Sequence, residues 1–144
     1  MKPFPLVIGG IVAGLAIIAG EAILNLAILA KDWAELFSRL ALPEPTPIVA
    51  AQGVLKLLLL GVFSVWLANA IRHVFPAPRR AGIASGLCIW FLVWAWVQWG
   101  MLLAGYVTAT IAAITTAWGL VELPLAVWAG TWVHWRLTAP KAAS

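Results

Sequence analysis

Residues 6–29 read LVIGGIVAGLAIIAGEAILNLAIL, an apolar run in which Glu21 and Asn25 are the only side chains that ionise or carry an amide. A helix needs roughly 20 apolar residues to cross the hydrocarbon core of a bilayer. This run is long enough, and it exceeds the apolar region of a secretory signal peptide. We therefore interpret it as a true membrane-spanning helix that keeps a carboxyl group within the bilayer.

The rest of the chain has the same character. Of its 144 residues, 64% are hydrophobic and only 10% are charged, whereas a soluble domain has about 25% charged residues. Backbone groups in lipid must be hydrogen-bonded within their own segment, which favours helices here. We predict one integral membrane domain over residues 1–144, an all-α antiparallel bundle of four transmembrane helices with spans at about 6–29, 48–71, 82–104 and 108–135.

The orientation follows from the positive charges in the short loops. Two basic residues, Lys31 and Arg39, follow the first span. The larger set falls on the other side and consists of Lys2, Arg72, Arg79, Arg80, Arg136 and Lys141. This distribution predicts that both termini and the middle loop are cytoplasmic, in a multi-pass protein of the bacterial inner membrane.

The loop after the first span contains a second helical pattern. In KDWAELFSRLAL, residues 31–42, apolar side chains recur at helical spacing at Trp33, Leu36, Phe37 and Leu40. We predict a short amphipathic segment that lies on the membrane surface, ended by the stiff sequence PEPTP. The connection at 105–107 is so short that the last two spans should form an antiparallel hairpin.

Polar residues on the first two spans fall at matching depths. At 1.5 Å per residue, Glu21 and Lys56 each lie about 12 Å, and Asn25 and Gln52 each about 6 Å, below the outer surface. Both i,i+4 pairs share a helix face, so we predict a ladder of Glu21 with Lys56 and Asn25 with Gln52, which Gln98 of the third span could join. Pairing lowers the cost of a buried charge. The ladder is either a structural ion pair or part of a ligand or ion pathway.

The second intramembrane acid, Glu122, lies near the middle of the fourth span. Pro124 follows it and removes a backbone donor, so we predict that the helix bends or opens there. A broken helix beside an intramembrane acid is a common way to build a transport site. The alternative is a neutral acid that hydrogen-bonds across helices. A stripe of small and polar residues surrounds it, formed by Thr115, Gly119, Ala126, Gly130 and His134.

Ten tryptophans are present, and four of them lie in the third span. Trp90, Trp94, Trp96 and Trp99 face several directions on a helix. Packing against lipid or a partner subunit is the preferred interpretation. The alternative is an aromatic wall for a flat ligand such as a quinone, a pigment or a hydrophobic cation.

No catalytic or metal site is predicted. The single cysteine, Cys88, excludes an internal disulfide and a multi-cysteine metal site. No nucleophile–base pair or phosphate-binding loop is present, so an enzyme is not expected. The basic residues sit at the ends of apolar runs and do not form a nucleic-acid-binding stripe. No cofactor is expected; a haem between His73 and His134 is an alternative to two interfacial histidines without a ligand.

Two stretches carry a family resemblance. GGIVAGLAIIAGEAILN and WGLVELPLAVWAGTW resemble an uncharacterised family of small four-helix bacterial membrane proteins, which implies the four-helix topology and no particular activity. A looser resemblance is to the small multidrug resistance transporters, which share the size, the four spans and an acid in the first span, matched by Glu21. Lys56, the outer loop and Glu122 depart from that pattern, so drug/proton exchange is not carried over.

Two classes of function are consistent with these features. In the first, the protein binds or transports a small hydrophobic or cationic ligand, and Glu21, Lys56 and Glu122 line a polar interior. In the second, it is a non-catalytic accessory subunit that packs through a Trp-rich face onto a larger respiratory or photosynthetic type of membrane complex. The expected partners are the lipid bilayer and either further copies of the chain or other membrane subunits.

Overall fold

A computed structural model describes residues 3–43 and 45–139. Within these ranges the fold is all-α, with five helices: α1 (Pro3–Ile28), α2 (Ala30–Arg39), α3 (Pro47–His73), α4 (Pro78–Leu103) and α5 (Ala109–Thr138). All except α2 are long and apolar enough to cross a membrane. The prediction of four packed spans is confirmed, and the chain is a small multi-pass integral membrane protein.

Part of the topology prediction lies outside the described residues. Lys2, Lys141 and Glu44 of the PEPTP segment belong to that part of the chain. The cytoplasmic location of the termini and the choice of the bacterial inner membrane therefore stay predictions. Below, the end of the bundle that carries α2 is called the α2 end, and the opposite end is called the terminal end.

Residues at the helix starts explain where the spans begin. Thr46 and Thr108 precede α3 and α5, and each side chain accepts a hydrogen bond from the backbone N–H three residues later, at 3.4 and 3.2 Å. Such caps satisfy donors that a helix start leaves free. Pro47 and Pro78 occupy the first positions of α3 and α4, where a missing N–H costs nothing. Gly105, at φ +76°, adopts the left-handed conformation in the loop between α4 and α5.

Small residues let the helices approach closely. α1 packs between α3 and α5. A side chain at Gly61 of α3 would overlap the backbone at Gly10 and Gly14 of α1, and one at Gly9 would overlap the carbonyl of Gly130. Gly10 and Gly14 thus form a Gly-xxx-Gly packing motif that is used within the chain, since close backbone approach is how small residues favour helix association in lipid.

α4 and α5 form the expected antiparallel hairpin. A Cβ at Gly82 would lie 2.7 Å from the Cα of Trp128, and one at Gly86 would lie 2.8 Å from the carbonyl oxygen of Leu123. α5 continues as one helix through Pro124, so the helix does not open there, and the predicted bend stays a prediction. Pro124 is buried, and its backbone packs against Gly86. This packing supports the helix where a hydrogen bond is lost.

The α2 segment folds back onto the bundle. Leu36 joins a buried cluster with Leu24 and Leu29 at the end of α1 and with residues at the start of α5. The guanidinium of Arg39 donates to two carbonyl oxygens of the α4–α5 loop at 3.3 Å. α2 is the predicted amphipathic helix, and its position on the membrane surface stays a prediction.

Candidate functional site

A cavity of about 630 Å³ lies between α3 and α4, in the half of the bundle towards α2. The two helices touch nearer the terminal end, where the Ser85 hydroxyl donates to the carbonyl oxygen of Ser64 at 2.7 Å. We call this space the acid cavity. Its polar lining residues are Glu21, Asn25, Trp33, Lys56, Trp94, Gln98 and Thr115.

Glu21 is held by side chains from its own helix and from α4. One carboxylate oxygen accepts from the amide nitrogen of Asn25 at 2.8 Å, and the other accepts from the indole N–H of Trp94 at 3.2 Å. The amide oxygen of Asn25 accepts from the indole N–H of Trp33 at 2.8 Å. A continuous hydrogen-bonded chain thus runs from α2 through Asn25 to Glu21 and on to α4.

Both donors to Glu21 lie in π-helical turns. The first turn covers Leu24–Ile28 and contains Asn25, and the second covers Trp90–Ala95 and contains Trp94. In addition, the indole N–H of Trp90 donates to the carbonyl oxygen of Thr116 at 2.8 Å, which fixes the second turn to α5. π-turns are rare and are frequently found at functional sites. Here they position the two groups that bind the Glu21 carboxylate.

Glu122 lies beside Glu21. Its carboxyl group points from α5 at Gly20 of α1, where a Cβ would overlap it, and it is close enough to Glu21 for the two charges to interact. Both Glu122 carboxyl oxygens are buried and have no hydrogen-bond partner among the described residues. We call Glu21 and Glu122 the acid pair.

The contact between the two acids differs from the depths predicted for them. Counted from the start of the fourth span, Glu122 is expected near the midplane, deeper than Glu21. In the structure, Ile111 packs in one cluster with Leu24 and Leu29, so the first turn of α5 lies level with the end of α1. The Glu122 carboxyl group accordingly lies against Gly20 of α1.

The predicted ladder between α1 and α3 does not form. Among the described residues no ion pair joins Glu21 to Lys56, and Lys56 is an exposed residue on the wall of the acid cavity. Gln52 is exposed, and Asn25 binds Glu21 and Trp33 instead of it. Neutral donors hold a carboxylate without the cost of desolvating a second charge, and a lysine stem can carry its amine towards the membrane surface.

Gln98 and the tryptophans of α4 divide between two environments. Gln98 lines the acid cavity, and its amide oxygen is buried without a partner among the described residues. Trp94 is only 8% exposed, whereas Trp96 and Trp99 are 62% and 61% exposed. Trp94 lines the acid cavity and Trp96 and Trp99 do not, so the aromatic wall stays a prediction for Trp94, and packing against lipid or a partner stays one for Trp96 and Trp99.

A second, larger opening of about 720 Å³ lies along α1 and α5. We call it the lateral groove. Apart from Glu122 and Trp118 its lining is aliphatic, with Ala16, Ala117 and Leu125 among its walls. Such a surface suits lipid chains, since small-molecule sites combine apolar walls with a few placed polar groups. The smaller acid cavity has that combination and is the better candidate site.

The two histidines at the terminal end lie in different environments. His134 is buried, and a Cβ at Gly9 would lie 2.9 Å from its Cβ. His73 is exposed, and its Nδ1 lies 3.0 Å from the carbonyl oxygen of Ala70. This arrangement does not favour a haem between them. Within residues 3–43 and 45–139, no group of three or more His, Cys, Asp or Glu side chains could hold a metal ion.

No protein-family model, curated protein or solved structure matches the chain. The resemblances to small four-helix bacterial proteins and to small multidrug resistance transporters thus gain no support from a match. Function has to be inferred from the acid cavity itself.

Proposed function

We propose that the protein binds a hydrophobic cation in the acid cavity and carries it across the membrane in exchange for a proton held by the acid pair. The observation that carries this proposal is the unpartnered Glu122 carboxyl group beside the doubly hydrogen-bonded Glu21 carboxylate. Two carboxylates this close in a low-dielectric site cannot both ionise readily. The pair therefore holds one shared proton and one negative charge.

The walls of the acid cavity suit such a ligand. Its volume of about 630 Å³ falls within the range of roughly 300–1,000 Å³ that is usual for small-molecule sites. Leu57 and Leu60 supply apolar surface, and Trp94 supplies an aromatic ring that attracts cations. The unpartnered oxygens of Gln98 and Thr115 can accept hydrogen bonds from a bound ligand. A cation placed next to Glu21 favours the ionised form of both acids, so the shared proton leaves.

Lys56 competes with the ligand. Its amine is the one cation among the described lining residues of the acid cavity, and its exposed, flexible stem lets it approach Glu21 or withdraw towards the headgroups. Without a ligand, the Lys56 amine can swing from its exposed position towards the negative charge of the acid pair. When a hydrophobic cation enters, Lys56 moves away.

Binding of radiolabelled tetraphenylphosphonium by the purified protein in neutral detergent tests the proposal. Equilibrium dialysis measures the affinity, and the pH change of a weakly buffered solution measures proton release. We expect about one proton released per bound cation, since the pair holds one. Glu21→Gln and Glu122→Gln should each weaken binding by about tenfold or more, because an unpaired cation in lipid is costly.

Glu35→Gln is the matched control. Glu35 is an exposed acid on α2 and does not line the acid cavity, so this variant should bind the cation like the unmodified protein. Undiminished binding and proton release by Glu122→Gln would contradict the proposal. In proteoliposomes, an imposed proton gradient should drive uptake of the labelled cation by the unmodified protein and not by Glu122→Gln.

An accessory-subunit function is the second candidate. Trp96 and Trp99 are exposed in the last eight residues of α4, and together with Gly100 and Leu103 they line a shallow depression of about 280 Å³. A neighbouring membrane helix could insert a side chain there. Purification in mild detergent would yield a stoichiometric partner subunit that the double variant Trp96→Leu, Trp99→Leu loses. A chain that purifies alone and binds the cation favours the first candidate.

A further inference from the structure

Two adjoining cavities lie at the terminal end, far from the acid cavity. The larger, of about 680 Å³, is lined by Arg72 and His73 from the end of α3 and by residues near the end of α5. The smaller, of about 280 Å³, includes Arg136. Trp135 and Ala139 line both, so the two cavities share one wall.

Hydrogen-bond donors converge on both cavities. Arg72 and His73 are exposed residues at the first. The indole N–H of Trp135 is buried and has no hydrogen-bond partner among the described residues. At the second cavity, the guanidinium carbon of Arg136 lies 5.0 Å from the ring centroid of Trp132, a contact that orients the arginine. Each cavity therefore has its own arginine, and Trp135 lines both.

No described carboxylate is available to neutralise these arginines. Asp32 and Glu35 lie on α2, at the opposite end of the bundle, and Glu21 and Glu122 form the acid pair. An anion that binds either arginine would therefore come from outside the described residues. Tryptophan and arginine at a helix end are typical of the membrane interface, where the abundant anions are lipid phosphates. Arginine matches phosphate geometry with two parallel hydrogen bonds.

We propose that the terminal end binds a phospholipid that carries two phosphate groups, one at Arg72 and the other at Arg136, with Trp135 between them. The shared wall favours a headgroup that carries both phosphates. Two separate lipids would have to bring two charged phosphates, with no covalent link between them, into neighbouring cavities. No residue of the acid cavity takes part, so this inference is independent of cation binding.

Thermal unfolding of the delipidated protein in neutral detergent tests the inference, with native mass spectrometry to count bound lipids. Tetraoleoyl cardiolipin, with two phosphates, is compared with dioleoyl phosphatidylglycerol at equal phosphate concentration and with inorganic phosphate. We expect cardiolipin to raise the melting temperature most, with a single molecule bound. Arg72→Gln and Arg136→Gln should each weaken its apparent affinity about tenfold, the usual effect of losing a charge-assisted contact.

Arg80→Gln is the matched control. Arg80 is an exposed arginine on α4 and lines neither cavity, so its loss should leave cardiolipin affinity unchanged within about twofold. Equal stabilisation by phosphatidylglycerol at equal phosphate would overturn the two-phosphate site. A loss of affinity in Arg80→Gln as large as in Arg72→Gln would overturn the assignment of the residues. Full stabilisation by inorganic phosphate alone would overturn a lipid as the ligand.

Discussion

Substitution of Gly20 by alanine should separate function from stability. Gly20 leaves space on α1 for the Glu122 carboxyl group, and a Cβ there would lie 2.7 Å from the Glu122 Cδ. Non-bonded carbons sit at about 3.5–4.0 Å, so the carboxyl group has to move by about 1 Å. Only the end of a flexible side chain is displaced, and the backbones of α1 and α5 can stay in place.

The free energy of unfolding and the free energy of cation binding should respond differently to this substitution. Alanine favours the helix over glycine by up to about 1 kcal/mol, which offsets a cost of about 1 kcal/mol for a strained Glu122 rotamer. The free energy of unfolding should therefore change by less than about 1 kcal/mol. Displacing Glu122 breaks up the acid pair, so tetraphenylphosphonium affinity should fall about tenfold, or roughly 1.4 kcal/mol.

Gly61→Ala is the contrasting control. A Cβ at Gly61 would lie 2.7 Å from the Cα of Gly14, so backbone blocks it and α1 and α3 must separate by about 1 Å. Overpacking of this kind costs about 3 kcal/mol. Unfolding in mixed micelles of neutral detergent and dodecyl sulfate measures stability, and equilibrium dialysis measures affinity. If Gly20→Ala unfolds as readily as Gly61→Ala, or keeps full cation affinity, Glu122 does not lie against Gly20 as described.

Three further experiments test the account. Lys56→Met should raise tetraphenylphosphonium affinity about fivefold, since it removes a competing cation worth about 1 kcal/mol; lower affinity in equilibrium dialysis would show that Lys56 assists binding. Trp94→Phe keeps an aromatic ring but deletes the hydrogen bond to Glu21, so affinity should fall about tenfold; an unchanged dissociation constant would remove Trp94 from the site. Without the native cysteine, Thr46→Cys should react with an impermeant thiol reagent on intact cells and Ala77→Cys should not; the reverse labelling would overturn the predicted orientation.

The membrane class and the close helix contacts could be predicted from sequence because they depend on local composition. Span length follows from the extent of each apolar run, and Gly10-xxx-Gly14 marks close approach wherever the partner helix lies. The helical pattern of α2 is equally local, and Leu36 is buried as that pattern indicates.

The acid pair could not be predicted because it depends on the axial register of α5 against α1. The predicted depths rest on the assumption that each span starts at the membrane surface. That assumption placed Glu21 and Lys56 at the same depth and gave Glu122 no partner. Because α5 has 30 residues, that assumption shifts the expected depth of Glu122 by several residues. The small residues Gly9 and Gly130 carried part of the missing signal, since matching them sets the register of α1 against α5 to within one turn of the Gly20–Glu122 contact.

The π-helical turns could not be predicted from the sequence either. Residues 90–95, WFLVWA, satisfy a regular helical pattern as well as a π-turn. The choice depends on tertiary hydrogen bonds, from Trp90 to α5 and from Trp94 to Glu21. The same contacts decide which tryptophans of α4 face the acid cavity and which face outwards.

Infrared difference spectroscopy of cation binding tests the central claim most directly, because a protonated carboxyl group has a C=O stretching band that a carboxylate lacks. We predict that tetraphenylphosphonium removes one such band, corresponding to the proton shared by Glu21 and Glu122, and that Glu122→Gln abolishes the difference while Glu35→Gln preserves it. A difference spectrum without a carboxylic acid band, or one that is unchanged in Glu122→Gln, would contradict the shared proton.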